Sequence, residues 1–268
     1  MVQPEKKPVK LFEHLDEFRA LLGQKDVFIF LDYDGTLTPI VDTPDLAVLS
    51  PAMRATAQNL ATHYKVSIVS GRATDDVQSK VQIDGIFYAG SHGFEIVDPL
   101  GNVTVNESAR AVPGVIDRIH RQLSEALKGV KGALVEHVKY TLSAHYRLVS
   151  EQDFPRVRSA VAKILEEYPD FRRTDGKKVF EIRPRIDWDK GKAVDWILNV
   201  LRFDPAAHLA VYVGDDVTDE DAFAALEGKG IGILVADPPR ASKARYCIND
   251  TADVQKLLEF FVRRKAAS

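Results

Sequence analysis

The stretch VFIFLDYDGTLT, residues 27–38, joins a run of five apolar residues directly to an acidic turn. The run is rich in β-branched and aromatic residues, which predicts a strand buried on both faces, as in a parallel sheet. Asp32 and Asp34 stand two positions apart and therefore point the same way at the end of this strand. Gly35 permits a sharp turn that brings the backbone close to a ligand. We expect a functional site at this strand end.

Two carboxylates side by side repel each other, so Asp32 and Asp34 need a cation or a shared proton. Mg²⁺ prefers oxygen ligands and would satisfy both groups. Asp and Gly are also common in ordinary strand-end turns, so a DxD pair alone would leave both interpretations open. The longer string after an all-apolar strand favours a magnesium site.

Apolar runs elsewhere in the chain predict four more strands, at residues 65–69, 86–89, 209–213 and 230–235. Helical spacing of apolar residues predicts helices at 51–62 and 192–201. Strands that alternate with helices indicate a doubly wound, Rossmann-like parallel α/β sheet. Ligands of such sheets bind beyond the carboxyl ends of the strands.

The middle of the chain has a different pattern. It predicts a hairpin over 95–105, helices over 115–127 and 154–168, and strands over 134–138, 140–148 and 179–183. This order is α+β in character. We therefore predict an inserted α+β cap domain at 109–185, within a catalytic core made of residues 1–108 and 186–268.

The composition narrows the possible partners and location. The 268 residues carry a formal net charge of -3, which argues against a nucleic-acid or membrane-surface partner. Cys247 is the single cysteine, so no intramolecular disulfide is possible and a reducing cytoplasm is expected. The chain has no signal-like run at its start and no apolar stretch of about 20 residues, which predicts a soluble cytoplasmic protein.

Two shorter motifs follow predicted strands or open helices. SGR at residues 70–72 offers the Ser70 hydroxyl and turn amides to a phosphate oxygen, although Ser is also a frequent helix N-cap. DKGK at residues 189–192 places ammonium groups at a helix N-terminus, which suits phosphate binding. A solvated first turn is the alternative for these lysines. Lys190 and Lys192 both remain candidates for the phosphate contact.

The last motif is GDDVTDED at residues 214–221, directly after the predicted strand at 209–213. So many acids at one strand end are costly without a cation. Acids at a helix start explain Glu220 and Asp221 well, but they explain Asp215 poorly. Together the motifs indicate one site with a nucleophile, a hydroxyl, an ammonium and a metal carboxylate.

These strings, LDYDGTLT, SGR, DKGK and GDDVTDED, resemble the motifs of the haloacid dehalogenase superfamily of phosphotransferases. An insertion between the second and third motifs resembles that superfamily's C2 type of cap. By this resemblance Asp32 attacks phosphorus to form an aspartyl-phosphate, and Asp34 acts as general acid and then as general base. Ser70 and Lys190 hold phosphate oxygens, Lys190 being preferred because the lysine precedes the glycine in the family. The implied cofactor is Mg²⁺, held by Asp32, the Asp34 carbonyl, Asp215 and, at the edge, Asp219.

A narrower resemblance covers residues 27–260 and adds the strings GSHGFEI, SAHYR and FEIRP. It is to the trehalose-6-phosphate phosphatase family, and it implies hydrolysis of trehalose 6-phosphate to trehalose and phosphate. Cross-strand charge pairing is the alternative for Arg147 and Glu181. The candidate substrate-binding residues are Gly71, Arg72, His92, Glu95, His145, Arg147, Lys178 and Glu181.

Three alternatives stay open at this point. The substrate could be another sugar phosphate, such as glucosylglycerol phosphate or mannosyl-phosphoglycerate, because the core motifs do not separate these. A mutase or phosphotransferase would return the phosphoryl group to a sugar, and a non-catalytic domain would bind a sugar phosphate and regulate a synthase. The resemblance also raises a trehalose-phosphate synthase as a partner, and we expect the chain itself to be monomeric.

Overall fold

The structure, a computed structural model, describes residues 7–266. The chain divides into two compact units. One unit comprises the chain up to Thr104 together with the chain from Trp188 onward, and the other is Val105–Asp187. Residues 1–6 and 267–268, which belong to the predicted core, lie outside the described residues.

The described residues form thirteen strands and eight α-helices. The strands are β1 (Val9–Lys10), β2 (Asp26–Leu31), β3 (Lys65–Val69), β4 (Phe87–Gly90), β5 (Glu95–Val97), β6 (Val103–Val105), β7 (Leu134–Val138), β8 (Thr141–His145), β9 (Phe171–Gly176), β10 (Val179–Pro184), β11 (His208–Gly214), β12 (Gly230–Val235) and β13 (Tyr246–Ile248). The helices are α1 (Leu15–Leu22), α2 (Pro51–His63), α3 (Thr74–Val81), α4 (Val112–Ala126), α5 (Phe154–Glu167), α6 (Lys190–Val200), α7 (Asp219–Ala225) and α8 (Thr251–Ala266).

Nine strands form the large sheet, in the order β1-β13-β12-β11-β2-β3-β4-β5-β6. In this order, each neighbouring pair of strands from β1 through β13, β12, β11, β2 and β3 to β4 is parallel. Strand β5 is antiparallel to β4. The predicted α/β class with a parallel sheet is confirmed. The five strands predicted for the core lie within one residue of their observed bounds, whereas β1, β9, β13, α1, α3, α7 and α8 were not predicted.

Alternation along β2 explains why the sheet is covered on both faces. Val27, Ile29 and Leu31 pack into one hydrophobic cluster, with residues of α1, α2, α3 and α8. Phe28 and Phe30 pack into a second cluster, with residues of α6 and α7. A strand with apolar side chains on both faces is stable only between two layers of helices, which is the doubly wound arrangement.

The second unit has its own sheet, with antiparallel strands in the order β7-β8-β10-β9. Helices α4 and α5 contribute buried apolar residues at helical spacing, among them Ile116, Ile119, Val157 and Val161. This unit begins four residues before and ends two residues after the predicted insertion at 109–185. The sequence analysis missed its strand β9.

Within residues 7–266 no helix combines the length and the apolar character that crossing a bilayer requires.

Candidate active site

Three neighbouring strands bring the first, second and last motifs together. Strand β2 lies between β3 and β11, and Leu31 is opposite both Ile68 and Val213. The loops that follow these parallel strands therefore leave the same edge of the sheet. The Asp32 amide continues this ladder by donating to the Val213 carbonyl at 2.9 Å. The site is thus built at the carboxyl ends of β2, β3 and β11.

Lys190 is the first residue of α6, and its side chain is buried at this edge. Its Nζ donates to Asp32 Oδ1 and to Asp219 Oδ1, each at 2.7 Å. Asp189 caps the helix, since its Oδ1 accepts from the Lys192 amide at 2.9 Å. Lys190 is therefore the lysine of the DKGK motif that the structure places beside the predicted nucleophile.

Asp219 organises the acidic loop after β11. Its Oδ1 accepts from Lys190 and from the Tyr212 hydroxyl, and its Oδ2 accepts from the amides of Asp215 and Asp216. A carboxylate has about four lone-pair positions, and these contacts use that number. Asp219 therefore holds the loop and Lys190 in place.

The charged groups around Asp32 shift one another's pKa values in different directions. Burial raises the pKa of Asp32 well above its ordinary value, and Asp219 and Asp215 add to this although Lys190 opposes it. The pKa of Asp219 is lowered, because Lys190, the Asp216 amide and Tyr212 together outweigh its burial. The pKa of Lys190 is raised well above its ordinary value, since Asp219 and Asp32 outweigh its own burial. The Lys190 ammonium thus favours the ionised form of Asp219, and a further cation would favour the ionised form of Asp32.

The surroundings fit a divalent metal ion as that charge. Carboxylate oxygens of Asp32, Asp215 and Asp219, all buried, lie within 4.8 Å of one another. Gly35 leaves room there, because a Cβ at that position would lie 2.0 Å from Asp215 Oδ2. Its φ of +83° also favours glycine. An all-oxygen donor set suits a hard cation such as Mg²⁺.

The Asp34 side chain, by contrast, is paired with Arg72. Arg72 Nε donates to Asp34 Oδ2 at 2.6 Å, and Nη2 donates to Asp34 Oδ1 at 2.8 Å. Arg72 also contacts Asp76 and the Pro44 carbonyl. Asp34 and Asp76 raise the pKa of this guanidinium despite its burial. Arg72 was predicted to bind substrate, and the structure pairs its side chain with Asp34, the predicted general acid.

The SGR turn is held by the segment after β4. The backbone carbonyl of Ser70 accepts from the His92 amide at 2.8 Å, and that of Arg72 accepts from the Ser91 amide at 2.6 Å. A Cβ on Gly71 would lie 3.0 Å from the His92 ring. His92, Glu95 and Ser70 are all buried. His92 therefore packs on the turn that presents the Ser70 hydroxyl.

The remaining predicted residues lie in the second unit. His145 Nε2 is 2.8 Å from Glu136 Oε2, and Arg147 donates to the Lys177 carbonyl at 2.7 Å. Glu181 lies opposite Ser143 in the register of β10 and β8, and Ser143 lies opposite Glu136 in β7. Glu136, His145 and Glu181 therefore share one face of this sheet, while Lys178 lies in the β9–β10 turn with φ +67°. The sequence analysis missed Glu136, because its place beside His145 and Glu181 depends on the register of β7, β8 and β10, which no local pattern indicates.

Glu220 and Arg240, whose pairing the sequence analysis also missed, hold the acidic loop after β11 in place. Glu220 pairs with Arg240, and its Oε2 accepts from Ser242 Oγ at 3.1 Å and from the Lys243 amide at 2.8 Å. Arg240 also donates to the Asp216 carbonyl at 2.9 Å. Glu220 had been explained as an ordinary acid at a helix start, and its contacts show that it ties α7 to the loop after β12.

Gly214 gives the first testable prediction. A Cβ there would lie 2.3 Å from Asp219 Cγ, so Gly214→Ala is expected to displace the residue that organises the loop. We expect a loss of about 1–3 kcal/mol in the free energy of unfolding, as for other overpacked sites. Denaturant unfolding of the metal-free protein measures it.

Gly114→Ala is the matched control for this prediction. Gly114 lies in α4 with no atom within 4 Å of an added Cβ. Alanine there should leave stability unchanged or raise it by up to about 1 kcal/mol, since alanine is the better helix former and Gly114 lies in the first turn of α4. Equal effects of the two substitutions would show that the contact with Asp219 is unimportant.

Most of the sequence matches a known protein family. A family model described as Trehalose-phosphatase matches residues 30–252. The chain belongs to the trehalose-phosphatase family. The predicted family resemblance is thereby confirmed, and the match spans the whole of the site described above.

Curated relatives agree with this membership. The chain is 41% identical over 271 residues to "Trehalose 6-phosphate phosphatase RA3" of Zea mays, covering 94% of this chain and 75% of that protein. It is 40% identical over 261 residues to "Trehalose-phosphate phosphatase B" of Arabidopsis thaliana, covering 93% and 70%.

Solved structures extend the likeness to the fold. The C-terminal domain of a C. albicans trehalose-6-phosphate phosphatase superposes with a TM-score of 0.82 at 19% identity, covering 97% of this chain and 99% of that one. A haloacid dehalogenase-like hydrolase from Bacteroides thetaiotaomicron gives a TM-score of 0.62 at 13% identity, covering 88% and 99%. The trehalose-phosphatase chain described here therefore has the haloacid dehalogenase-like fold.

Proposed function

We propose that this chain is a magnesium-dependent phosphatase that hydrolyses trehalose 6-phosphate to trehalose and phosphate. The observation that carries the proposal is the buried group formed by Asp32, Lys190, Asp215 and Asp219 at the strand ends. Membership of the trehalose-phosphatase family and the names of its relatives support the substrate.

The metal ion would be held by Asp32, Asp215 and the Asp34 carbonyl, with Asp219 at the edge of the site. When bound, it would neutralise the charge of the phosphate dianion and of the Asp32 carboxylate. Such a positive charge would oppose the burial that raises the pKa of Asp32. Asp219 keeps its part in organising the loop, because its oxygens already accept from four donors.

The proposed reaction has two steps, in which Asp32 and Asp34 have different roles. The Asp32 carboxylate attacks phosphorus, an aspartyl-phosphate forms, and the sugar oxygen leaves with a proton from Asp34. In the second step Asp34 takes a proton from the water that attacks phosphorus, which releases phosphate and restores Asp32. Lys190 has three donors and uses two of them on Asp32 and Asp219, so a third is left for a phosphate oxygen. The Ser70 hydroxyl would hold another oxygen.

We assign sugar recognition to the second unit, Val105–Asp187, as a cap. The polar sheet face with Glu136, His145 and Glu181, and the nearby Arg147 and Lys178, would donate to and accept from sugar hydroxyls. A site that hydrogen-bonds a hydroxyl rejects analogues that lack it, which is how such a face would select one sugar phosphate.

The cellular compartment, the partner protein and the oligomeric state are proposed from composition and from the family resemblance. We place the enzyme in the cytoplasm, because its single cysteine, Cys247, is free and buried and cannot form an intramolecular disulfide. A trehalose-phosphate synthase is the proposed source of substrate and a candidate partner. The chain itself is proposed to act as a monomer.

Phosphate release from a panel of substrates tests the proposal. Trehalose 6-phosphate, glucose 6-phosphate and glucosylglycerol phosphate are supplied with Mg²⁺ or with EDTA. We expect release from trehalose 6-phosphate alone, and only with Mg²⁺. Equal release from all three would keep a phosphatase and reject the substrate. Absence of release from any of them would favour a sugar-phosphate-binding regulator, and transfer to an added sugar would favour a phosphotransferase.

A further inference from the structure

Arg72 lies at the centre of a charged network beside the site. Its side chain is 8% exposed and contacts both oxygens of Asp34, whose side chain is 35% exposed. Its Nη1 donates to Asp76 Oδ2 at 2.7 Å, and its Nη2 also donates to the Pro44 carbonyl at 2.9 Å. The guanidinium lies over the Tyr33 ring, 5.4 Å from its centroid. Arg72 is therefore fixed from several sides.

These contacts leave little of Arg72 for a ligand. A guanidinium has five N–H donors in a rigid fork, and the contacts to Asp34, Asp76 and Pro44 use four of them. A two-pronged grip on phosphate needs two donors, so Arg72 would have to give up at least one of these contacts to make one. The position of Arg72 thus favours a role toward Asp34 over a role toward substrate.

The Asp34 carboxylate has reason to be held. An aspartate at the end of a strand can rotate about two side-chain bonds, and proton transfer is fast only when the carboxyl lies within hydrogen-bond reach of the reacting oxygen. A bidentate contact fixes both the place and the plane of a carboxylate, which a lysine cannot do. Tyr33, whose ring packs against the guanidinium, is itself fixed, because its hydroxyl donates to the Ala47 carbonyl at 2.9 Å within the core.

We infer that Arg72 is a positioning residue for the proton-transfer steps at Asp34, and that Asp76 positions Arg72 in turn. The inference rests on the proposed phosphatase function. When the bond from phosphorus to the sugar oxygen breaks, the sugar oxygen takes the proton from one oxygen of Asp34 while the guanidinium holds the carboxyl group in place. In the next step the same oxygen of Asp34 takes a proton from the attacking water. Arg72 itself gains and loses no proton.

A comparison of leaving groups tests the inference. kcat/KM is measured with trehalose 6-phosphate, whose sugar oxygen needs a proton to leave, and with p-nitrophenyl phosphate, whose phenolate leaves without one. For Arg72→Lys we expect a fall of about 10²-fold on the sugar phosphate, the size of a general-acid contribution. On the aryl phosphate we expect less than about a threefold change. There kcat/KM reports substrate binding and the first phosphoryl transfer, in which p-nitrophenolate leaves without a proton.

Asp76→Asn is the second variant, because it weakens the support of Arg72 without touching Asp34. It should lower kcat/KM on the sugar phosphate about tenfold and leave the aryl phosphate unchanged, with thermal unfolding of both variants measured to show that they are folded at the assay temperature. Equal losses on both substrates would overturn the inference and make Arg72 a phosphate-binding residue. Unchanged rates on both would overturn it as well.

Failure of the proposed function is distinguishable from these outcomes. It would appear in the wild-type protein, as absence of release from trehalose 6-phosphate with Mg²⁺. The ratio between sugar and aryl substrates would then be measured with whichever sugar phosphate of the panel the wild type hydrolyses. The same ratio in Arg72→Lys decides the inference in that case.

Discussion

Asp32→Asn is expected to lower kcat for phosphate release from trehalose 6-phosphate by at least about 10³-fold, because the variant lacks the oxygen anion that attacks phosphorus. Asparagine keeps the size of the side chain, so the fold should persist. Phosphate release at saturating substrate and Mg²⁺ measures the effect, with Asp26→Asn, an exposed acid at the start of β2, as control. A variant that kept a tenth of the wild-type rate would exclude Asp32 as nucleophile.

The same substitution should stabilise the metal-free protein at neutral pH. The pKa of Asp32 is raised, mainly by burial and further by Asp219 and Asp215. A carboxyl group with a raised folded-state pKa lowers stability as the pH rises above its unfolded value of about 4, because ionisation then favours the unfolded chain. In EDTA, the gain in free energy of unfolding for Asp32→Asn should therefore be small near pH 4 and grow toward pH 7. A variant less stable than the wild type at pH 7 would contradict this.

Lys190→Met is expected to destabilise the protein by about 3–5 kcal/mol, because it leaves the buried Asp219 and Asp32 without their ammonium partner. Methionine fills a similar volume, so the loss is electrostatic more than steric. Because the pKa of Lys190 is raised in the folded protein, its stabilising contribution is fully present below the unfolded value near pH 10 and is lost only above it, so it should persist through the neutral range. Urea unfolding at pH 7 in EDTA measures the change.

Lys192→Met is the matched control for this substitution. Lys192 belongs to the same motif and helix and is only partly buried. We expect a markedly smaller loss of stability and retained phosphatase activity. If the two variants lost the same stability and activity, the structural distinction between the two lysines would be wrong.

The sequence predicted the elements of the site better than its contacts. Apolar runs with turn residues after them predict strands whose ends carry Asp32, Ser70 and Asp215, because parallel strands must be buried and their ends must meet. The short strand β13, which contains Cys247, escaped prediction, since three residues carry too little periodicity to be distinguished from a loop.

Side-chain partners were the part that sequence alone could not supply. Arg72 follows a strand end and could serve a phosphate or a carboxylate, and only its distance from Asp34 separates the two. Asp219 had been placed at the edge of a metal site, and its four donors come from Tyr212, Lys190 and two loop amides. Such choices depend on where separated segments meet in space, which local patterns do not encode.

The position of β2 in the middle of the large sheet has a consequence for synthesis of the chain on the ribosome. One edge of β2 pairs with β3 soon after both emerge, but its other edge pairs with β11, and Asp32 meets Lys190 only across 158 residues. Until β11 has been made, the nascent chain presents an apolar strand, β2, with one open edge, which invites pairing with other chains. Ribosome-bound chains that end before β11 should accordingly recruit chaperones, and release of the chaperone should coincide with completion of the catalytic site.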